Sequence, residues 1–327
     1  MRSTLPTSLV LLYPILLGLQ GALAAVGPTT KAGLAWPNGD TVSMGQFAAS
    51  GKVSWYYTWI ADPIRFDSDL EFVPLLWGDA DSIKNFDKSM DKVLKDRPQT
   101  TAVMGMNEPD HEGQAALTPQ QGAEVWIEHM EPLKARGLRL GSPGCTSAAS
   151  GKQWLQDWLQ QCNGGCNFDF LVLHHYGWNA THFINYVTDM YQTFQKPVWV
   201  TEWACHDFST TNQRTCTAEQ VSSYLNTTQS WLDSNPWVER YAWFGAMKDT
   251  RNVNPLNGLL DQNGALNPLG LQYINWTGPG VPDSSLPRGA NANRPPNAAA
   301  SLQGSFLTSA ISLSLLSLSL AGFASYI

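Results

Sequence analysis

Charge is scarce in this chain of 327 residues: Asp, Glu, Lys and Arg make up 14% of it, and 27 acids against 20 bases leave a net charge of −7. No cluster of Lys and Arg interrupts that balance, so the basic footprint of a nucleic-acid binder is missing and no nucleic-acid partner is expected. Neither G-x-G-x-x-G nor G-x-x-x-x-G-K-[ST] follows any apolar run, which removes the usual nucleotide cradles. Cysteine is limited to five positions, 145, 162, 166, 205 and 216. The short spacing of Cys162 and Cys166 has no second Cys/His pair at a suitable offset, which argues against zinc. No cofactor and no metal are expected.

What the chain does hold is apolar and aromatic surface: 43% hydrophobic residues, with 14 Trp against 12 Phe and 10 Tyr. Such a surplus of Trp suits either a Trp-rich core or surfaces that stack on sugar rings. Both ends differ from the middle. Residues 1–24 combine Arg2, an apolar run from Leu9 to Leu19 and the small-residue site Ala22-Leu23-Ala24, the pattern of a cleaved secretory signal. Residues 278–305 carry five Pro and four Gly and read as a linker. Residues 306–327 form an apolar Leu/Ser tail with no charge after Arg294.

A transmembrane helix is normally followed by basic residues, so that tail favours a signal for a glycosylphosphatidylinositol (GPI) anchor. Asn297, with Ala298 and Ala299, is the expected attachment site, and residues 289–293 are the alternative. The expected product is secreted, held at the cell surface or wall by its lipid, and monomeric. Three N-x-Ser/Thr sequons, at Asn179, Asn226 and Asn275, agree with that route. In an oxidising compartment five cysteines suggest two disulfides. The pairs Cys162 with Cys166 and Cys205 with Cys216 close short loops and leave Cys145 over; Cys145 with Cys162 or Cys166 is the competing arrangement.

Residues 25–277 remain as one domain, the size of an α/β barrel of about 250 residues. Ile83, Phe86, Met90, Val93 and Leu94 recur at helical spacing. Thr118-Pro119-Gln120-Gln121 is a capping box opening a helix that should end at Gly137, and Thr217 with Gln220 opens another. Between helices lie eight short apolar runs, at 33–36, 53–57, 71–76, 101–106, 138–141, 169–174, 198–202 and 241–245. Buried parallel strands read this way. Eight β-α alternations predict an α/β fold, a single closed (β/α)8 TIM barrel, with an open doubly wound sheet as the alternative.

Barrel chemistry collects where strands end. The fourth run ends in Asn107-Glu108-Pro109-Asp110 and the seventh in Thr201-Glu202-Trp203-Ala204. Paired carboxyls at strand ends are what retaining glycoside hydrolysis needs, one to protonate the leaving oxygen and one to attack the anomeric carbon. Asp110 is expected to cap its loop. His174 and His175 are adjacent on a strand, so at most one faces the barrel mouth. Trp55, Trp77, Trp203 and Trp243 lie at or near strand ends, where a sugar platform and a core plug are the two readings. Trp154, Trp158 and Trp231 fall within helices and are expected to pack.

The strings Trp55-Tyr56-Tyr57-Thr58-Trp59, Phe72-Val73-Pro74-Leu75-Leu76-Trp77-Gly78, Asn107-Glu108-Pro109-Asp110, His174-His175-Tyr176-Gly177 and Thr201-Glu202-Trp203-Ala204, in that order, resemble the fungal glycosyl hydrolases of glycoside hydrolase family 128, in clan A. The resemblance covers residues 31–275. It implies a β-1,3-glucanase with Glu108 as general acid/base and Glu202 as nucleophile, acting on β-1,3-glucan or laminari-oligosaccharides. It assigns Asn107 to the sugar 2-hydroxyl, and His174 and Tyr176 to the nucleophile and the sugar. A wall-remodelling transglycosylase using the same glutamates and a non-catalytic glucan-binding surface protein are the rival readings. A glycan on Asn179, just past the His-Tyr string, would crowd the cleft rim.

Overall fold

A computed structural model describes residues 30–65, 69–208 and 214–282. The signal segment 1–24, linker residues 283–305 with Asn297, and the tail 306–327 lie outside the described residues. Eight strands appear where the apolar runs place them: β1 (Ala32–Ala35), β2 (Val53–Tyr57), β3 (Glu71–Phe72), β4 (Ala102–Met104), β5 (Arg139–Gly141), β6 (Leu171–Tyr176), β7 (Val198–Ala204) and β8 (Val238–Trp243). Helices fall between and after them: α1 (Gly45–Ala48), α2 (Ala80–Asp96), α3 (Pro119–Val125), α4 (Ala149–Cys162), α5 (Ala180–Phe194), α6 (Ala218–Ser234) and α7 (Pro268–Tyr273).

The strands pair in two sets, β3-β2-β1-β8-β7-β6 and β4-β5, all parallel. Single parallel bridges join the sets, Leu75 to Met104 on one side and Gly141 to Phe170 on the other. Those bridges close the ring in chain order, so the predicted barrel is the observed one. Closure leaves no sheet edge, and alternate residues of each strand point into the barrel.

Large rings fill that interior. Trp199 stacks on Phe170 at 3.8 Å and meets Trp55 at 5.4 Å, while the Arg240 guanidinium lies over Trp199 at 4.4 Å. Arg240 is anchored in turn by Glu71. Room for Trp55 comes from Gly33, where a Cβ would stand 2.1 Å from the indole. Even the methyl group of alanine would collide with the indole there.

Helix signals held with one exception. Thr118 and Thr217 both form complete capping boxes. The helix predicted from 118 to 137, however, is α-helical only to Val125, then runs as a π turn (Trp126–Met130) and a 3₁₀ turn (Glu131–Arg136) before Gly137 ends it at φ 86°. Pro132 is the cause: it has no N–H to give to the preceding turn, and its ring collides with the carbonyl there. Trp154 and Trp158 are buried and Trp231 is packed against the core, as expected. Disulfides join Cys162 to Cys166 and Cys205 to Cys216, and Cys145 is a buried free thiol. The competing pairings of Cys145 are thereby removed. Among the described residues no helix is long and apolar enough to cross a membrane.

Candidate active site

Glu108 follows β4, and its backbone leaves the strand abruptly, with φ at +41°. Left-handed backbone is costly for a residue with a Cβ, and it is held here by the Glu108 N–H bonding to the Gly144 carbonyl at 2.7 Å. Glu202 reaches the mouth by another device. Pairing between β6 and β7 runs from Leu173 with Val200 directly to His174 with Glu202, so Thr201 is an extra residue, a β-bulge. Trp199 already points inward, and strict alternation would send Glu202 outward. The bulge reverses the parity and turns Glu202 in.

One oxygen of each carboxylate and a ring nitrogen of His174 all lie within 4.8 Å of one another. His174 Nδ1 is 2.9 Å from Glu108 Oε1, and its Nε2 is 3.7 Å from Glu202 Oε1. Tyr176 donates to Glu202 Oε2 at 2.6 Å. The Trp59 indole N–H donates to Glu202 Oε1 at 2.7 Å. Glu202 therefore receives a donor on each oxygen, a setting that suits a carboxylate anion. Three such ligand atoms would also suit a metal, but on Glu202 the near lone pairs already face proton donors and His174 Nδ1 faces Glu108.

Burial raises the Glu108 pKa above the ordinary carboxyl range, against the opposing pull of His174; the Glu202 charge adds to the rise. For His174 burial alone would lower the pKa, but the charge of Glu202 together with the bond to Glu108 outweighs it, and the net direction is up. The Glu108 side chain is 12% exposed against 4% for Glu202, so Glu108 is the more open of the two to water. His175 points the other way, into Phe183, Tyr186 and Tyr224 on the surrounding helices, and burial lowers its pKa to about 4.

Asn107 stands beside Glu108. Its Nδ2 donates to Gln114 Oε1 at 3.0 Å, and its Oδ1 is buried without a hydrogen-bond partner among the described residues. Asp110 accepts from the Thr146 amide and hydroxyl, tying the loop after β4 to the loop after β5. Behind Glu202, Asn257 pairs with both the N–H and the C=O of Cys205, and the disulfide to Cys216 closes the same loop.

The four tryptophans proposed as sugar platforms separate. Trp55, Trp203 and Trp243 are fully buried and offer no face to a sugar. Trp55 is part of the barrel interior. Trp203 lies outside the barrel with its N–H on Thr228 of α6, because the bulge that turns Glu202 in turns Trp203 out. Trp243 bonds the Asn257 carbonyl and packs on Trp203. These three are corrections to the sequence reading. Trp77 keeps exposed surface, and its carbonyl receives the Asn107 N–H at 2.9 Å. The sequence reading missed Trp59 and Phe244. Trp59, at φ +61°, packs against Tyr57 and Phe244, and both Trp59 and Phe244 line a cavity of about 570 Å³ with Trp36, Ile60, Ile64 and Met247. That volume is in the range of ligand pockets. Trp59 stood in a quoted string; its positive φ left no trace in the sequence.

A family model described as the glycosyl hydrolase catalytic core matches residues 33–273. The chain belongs to that family. Alkali-sensitive linkage protein 1 of Schizosaccharomyces pombe is 27% identical over 249 residues, which are 75% of this chain and 44% of that protein. This chain thus spans less than half the length of that relative. Among solved structures, a curdlan-specific exo-β-1,3-glucanase of Blastomyces gilchristii in complex with glucose is 29% identical, with a TM-score of 0.62 over 76% of this chain and 99% of that one. An endo-β-1,3-glucanase of Amycolatopsis mediterranei in complex with laminaritriose is 27% identical, with a TM-score of 0.61 over 75% of this chain and 99% of that one. Both are glycoside hydrolase family 128 proteins, which bears out the resemblance drawn from the five strings.

Trp59→Phe keeps an aromatic ring but removes the indole N–H together with the pyrrole half of the buried side chain. A hydrogen bond to a charged group contributes about 1.5–3 kcal/mol, so hydrolysis should fall by roughly 10- to 100-fold in kcat/KM, while the void left at a buried site lowers the melting temperature without unfolding the protein. Unchanged kinetics would show that Trp59 does not orient Glu202.

Proposed function

We propose that this glycosyl hydrolase core cleaves β-1,3-glucan with retention of configuration, Glu202 acting as nucleophile and Glu108 as general acid/base. The separation of the two carboxylates carries the reading. One oxygen of each lies within 4.8 Å of the other, well short of the spacing at which an inverting pair holds its attacking water. Retaining pairs stand about 5–5.5 Å apart and inverting pairs about 6.5–9.5 Å. In the first step Glu108 gives its proton to the glycosidic oxygen as a Glu202 oxygen bonds to the anomeric carbon and the leaving sugar departs. In the second, Glu108 takes a proton from water, which attacks the same carbon from the opposite face and frees Glu202. Asn107, with its buried unpaired Oδ1, would take a sugar hydroxyl, and His174 would hold Glu108 in line. The glucan substrate is supported by relatives that bind glucose and laminaritriose.

Laminari-oligosaccharides of defined length, digested by the purified protein, should give only shorter products, the first of them as the β-anomer by NMR before mutarotation. Products longer than the substrate would mean glycosyl transfer. Initial release of the α-anomer would mean inversion and would overturn both roles.

We also propose secretion and attachment through a lipid, on the apolar character of residues 1–24 and 306–327. A phosphatidylinositol-specific phospholipase should release the protein from cells. Recovery of the 306–327 peptide from the mature protein would refute the anchor.

A further inference from the structure

On the flank of the barrel, between the first turns of α5 and α6, lies a second cavity of about 670 Å³, lined by Trp178, Asn179, Arg214, Glu219, Gln220 and Ser223 among others. It is separate from the carboxylate pair. Trp178 is 40% exposed, and the Arg214 guanidinium lies over its ring at 4.1 Å. Asn179 is the N-cap of α5, its Oδ1 accepting from the Thr181 and His182 amides at 2.9 and 3.2 Å. That bond uses Oδ1 for the helix cap, and Asn179 itself lines the cavity. Asn179-Ala180-Thr181 is also a sequon, and Tyr176, which touches Glu202, lies only three residues upstream.

We propose that this cavity seats the first sugars of an N-linked glycan on Asn179, laying the glycan along the flank and away from the cleft. The inference rests on the secretion reading above. Attachment forms a bond from Nδ2 to C1 of the first sugar, with loss of one amide proton and departure of the diphosphate of a lipid-linked oligosaccharide donor. Oδ1 is untouched, so the α5 cap survives the modification. The attachment residue is part of the cavity wall, so the sugar is delivered at high effective concentration. Trp178 offers an apolar ring, while Arg214, Glu219 and Gln220 supply donors and acceptors for hydroxyl and acetamido groups. At this volume the cavity falls within the range of small-ligand sites.

The test uses the full chain expressed in eukaryotic cells, recovered from cells and medium together. Glycopeptide mapping should find Asn179 occupied alongside Asn226 and Asn275, which are exposed and serve as comparators. An endoglycosidase acting on the native protein should release the Asn179 glycan at least tenfold more slowly than the other two. Trp178→Ala, and independently Arg214→Ala, should bring the three rates together. Equal rates in the unaltered protein would overturn the proposal, as would a bare Asn179 beside occupied comparators. Thr181→Ala removes the sequon and keeps the cap. If Trp178→Ala in that background raises KM for laminari-oligosaccharides, the cavity is a substrate site and the proposal fails. Absence of glycan from all three sequons would reject secretion itself, and the glycan seat with it.

Discussion

Glu202→Ala should lower turnover of β-1,3-glucan by roughly 10⁴- to 10⁶-fold, the scale on which removal of a nucleophile acts when the rest of the machinery stays in place. The donors that held the carboxylate, the Trp59 N–H and the Tyr176 O–H, remain around the vacated space. That space is sized and polarised for a small anion. Azide added to the variant should therefore restore cleavage, attacking the anomeric carbon from the Glu202 side while Glu108 still protonates the leaving group. One inversion gives an α-glycosyl azide. Activity within tenfold of the parent, or rescue that yields a β-azide, would remove Glu202 from the nucleophile's place. Circular dichroism of the variant separates a catalytic loss from unfolding.

Much of this arrangement was legible in the chain because strands of a closed parallel barrel are buried on both faces and stand out as short apolar runs. All eight runs became strands, and the third and fourth carry the bridge from Leu75 to Met104 that helps close the ring. Glu108 and Glu202 were legible because polar residues at the ends of such runs have few other reasons to be there. Side-chain direction was not legible. Alternation assigns faces only while the register is regular, and the bulge at Thr201 exchanges the faces of Glu202 and Trp203. A tryptophan beside a carboxylate at the barrel mouth thus looked like a sugar platform and proved to be the outer packing of its strand. Trp55 misled for a different reason. It lies within β2, four residues before Trp59 and deep enough to meet Trp199 and Arg240, whereas Trp59, two residues past the end of β2, reaches the mouth through a left-handed backbone that no residue type announces. The helix broken by Pro132 was the one place where a written signal was present and outweighed by the Thr118 cap and the Gly137 stop.

Glu108→Ala should behave differently from Glu202→Ala, and the difference tests the mechanism more sharply than either loss alone. Removing a general acid costs about 10²- to 10⁴-fold on a natural substrate, whose leaving oxygen must be protonated. On an aryl laminarioside with a dinitrophenyl leaving group the first step needs no proton, so the glycosyl-enzyme should form at near the parent rate and accumulate. Azide should then attack that intermediate from the face Glu108 has left and release a β-glycosyl azide, by two inversions. The pH profile carries the same sign. Burial holds the Glu108 pKa above the ordinary carboxyl value, and the protonated form is the active one in the first step. In the parent, kcat/KM on laminari-oligosaccharides should therefore fall as pH rises through that elevated value. His174 is raised as well and shares the hydrogen bond, so the limb belongs to the pair and not to one residue. In Glu108→Ala on the activated substrate the alkaline limb should disappear. If it persists both there and in a Glu108→Ala, His174→Ala double variant, or if the azide product is the α-anomer, Glu108 is not the acid and the proton must reach the leaving oxygen by another route.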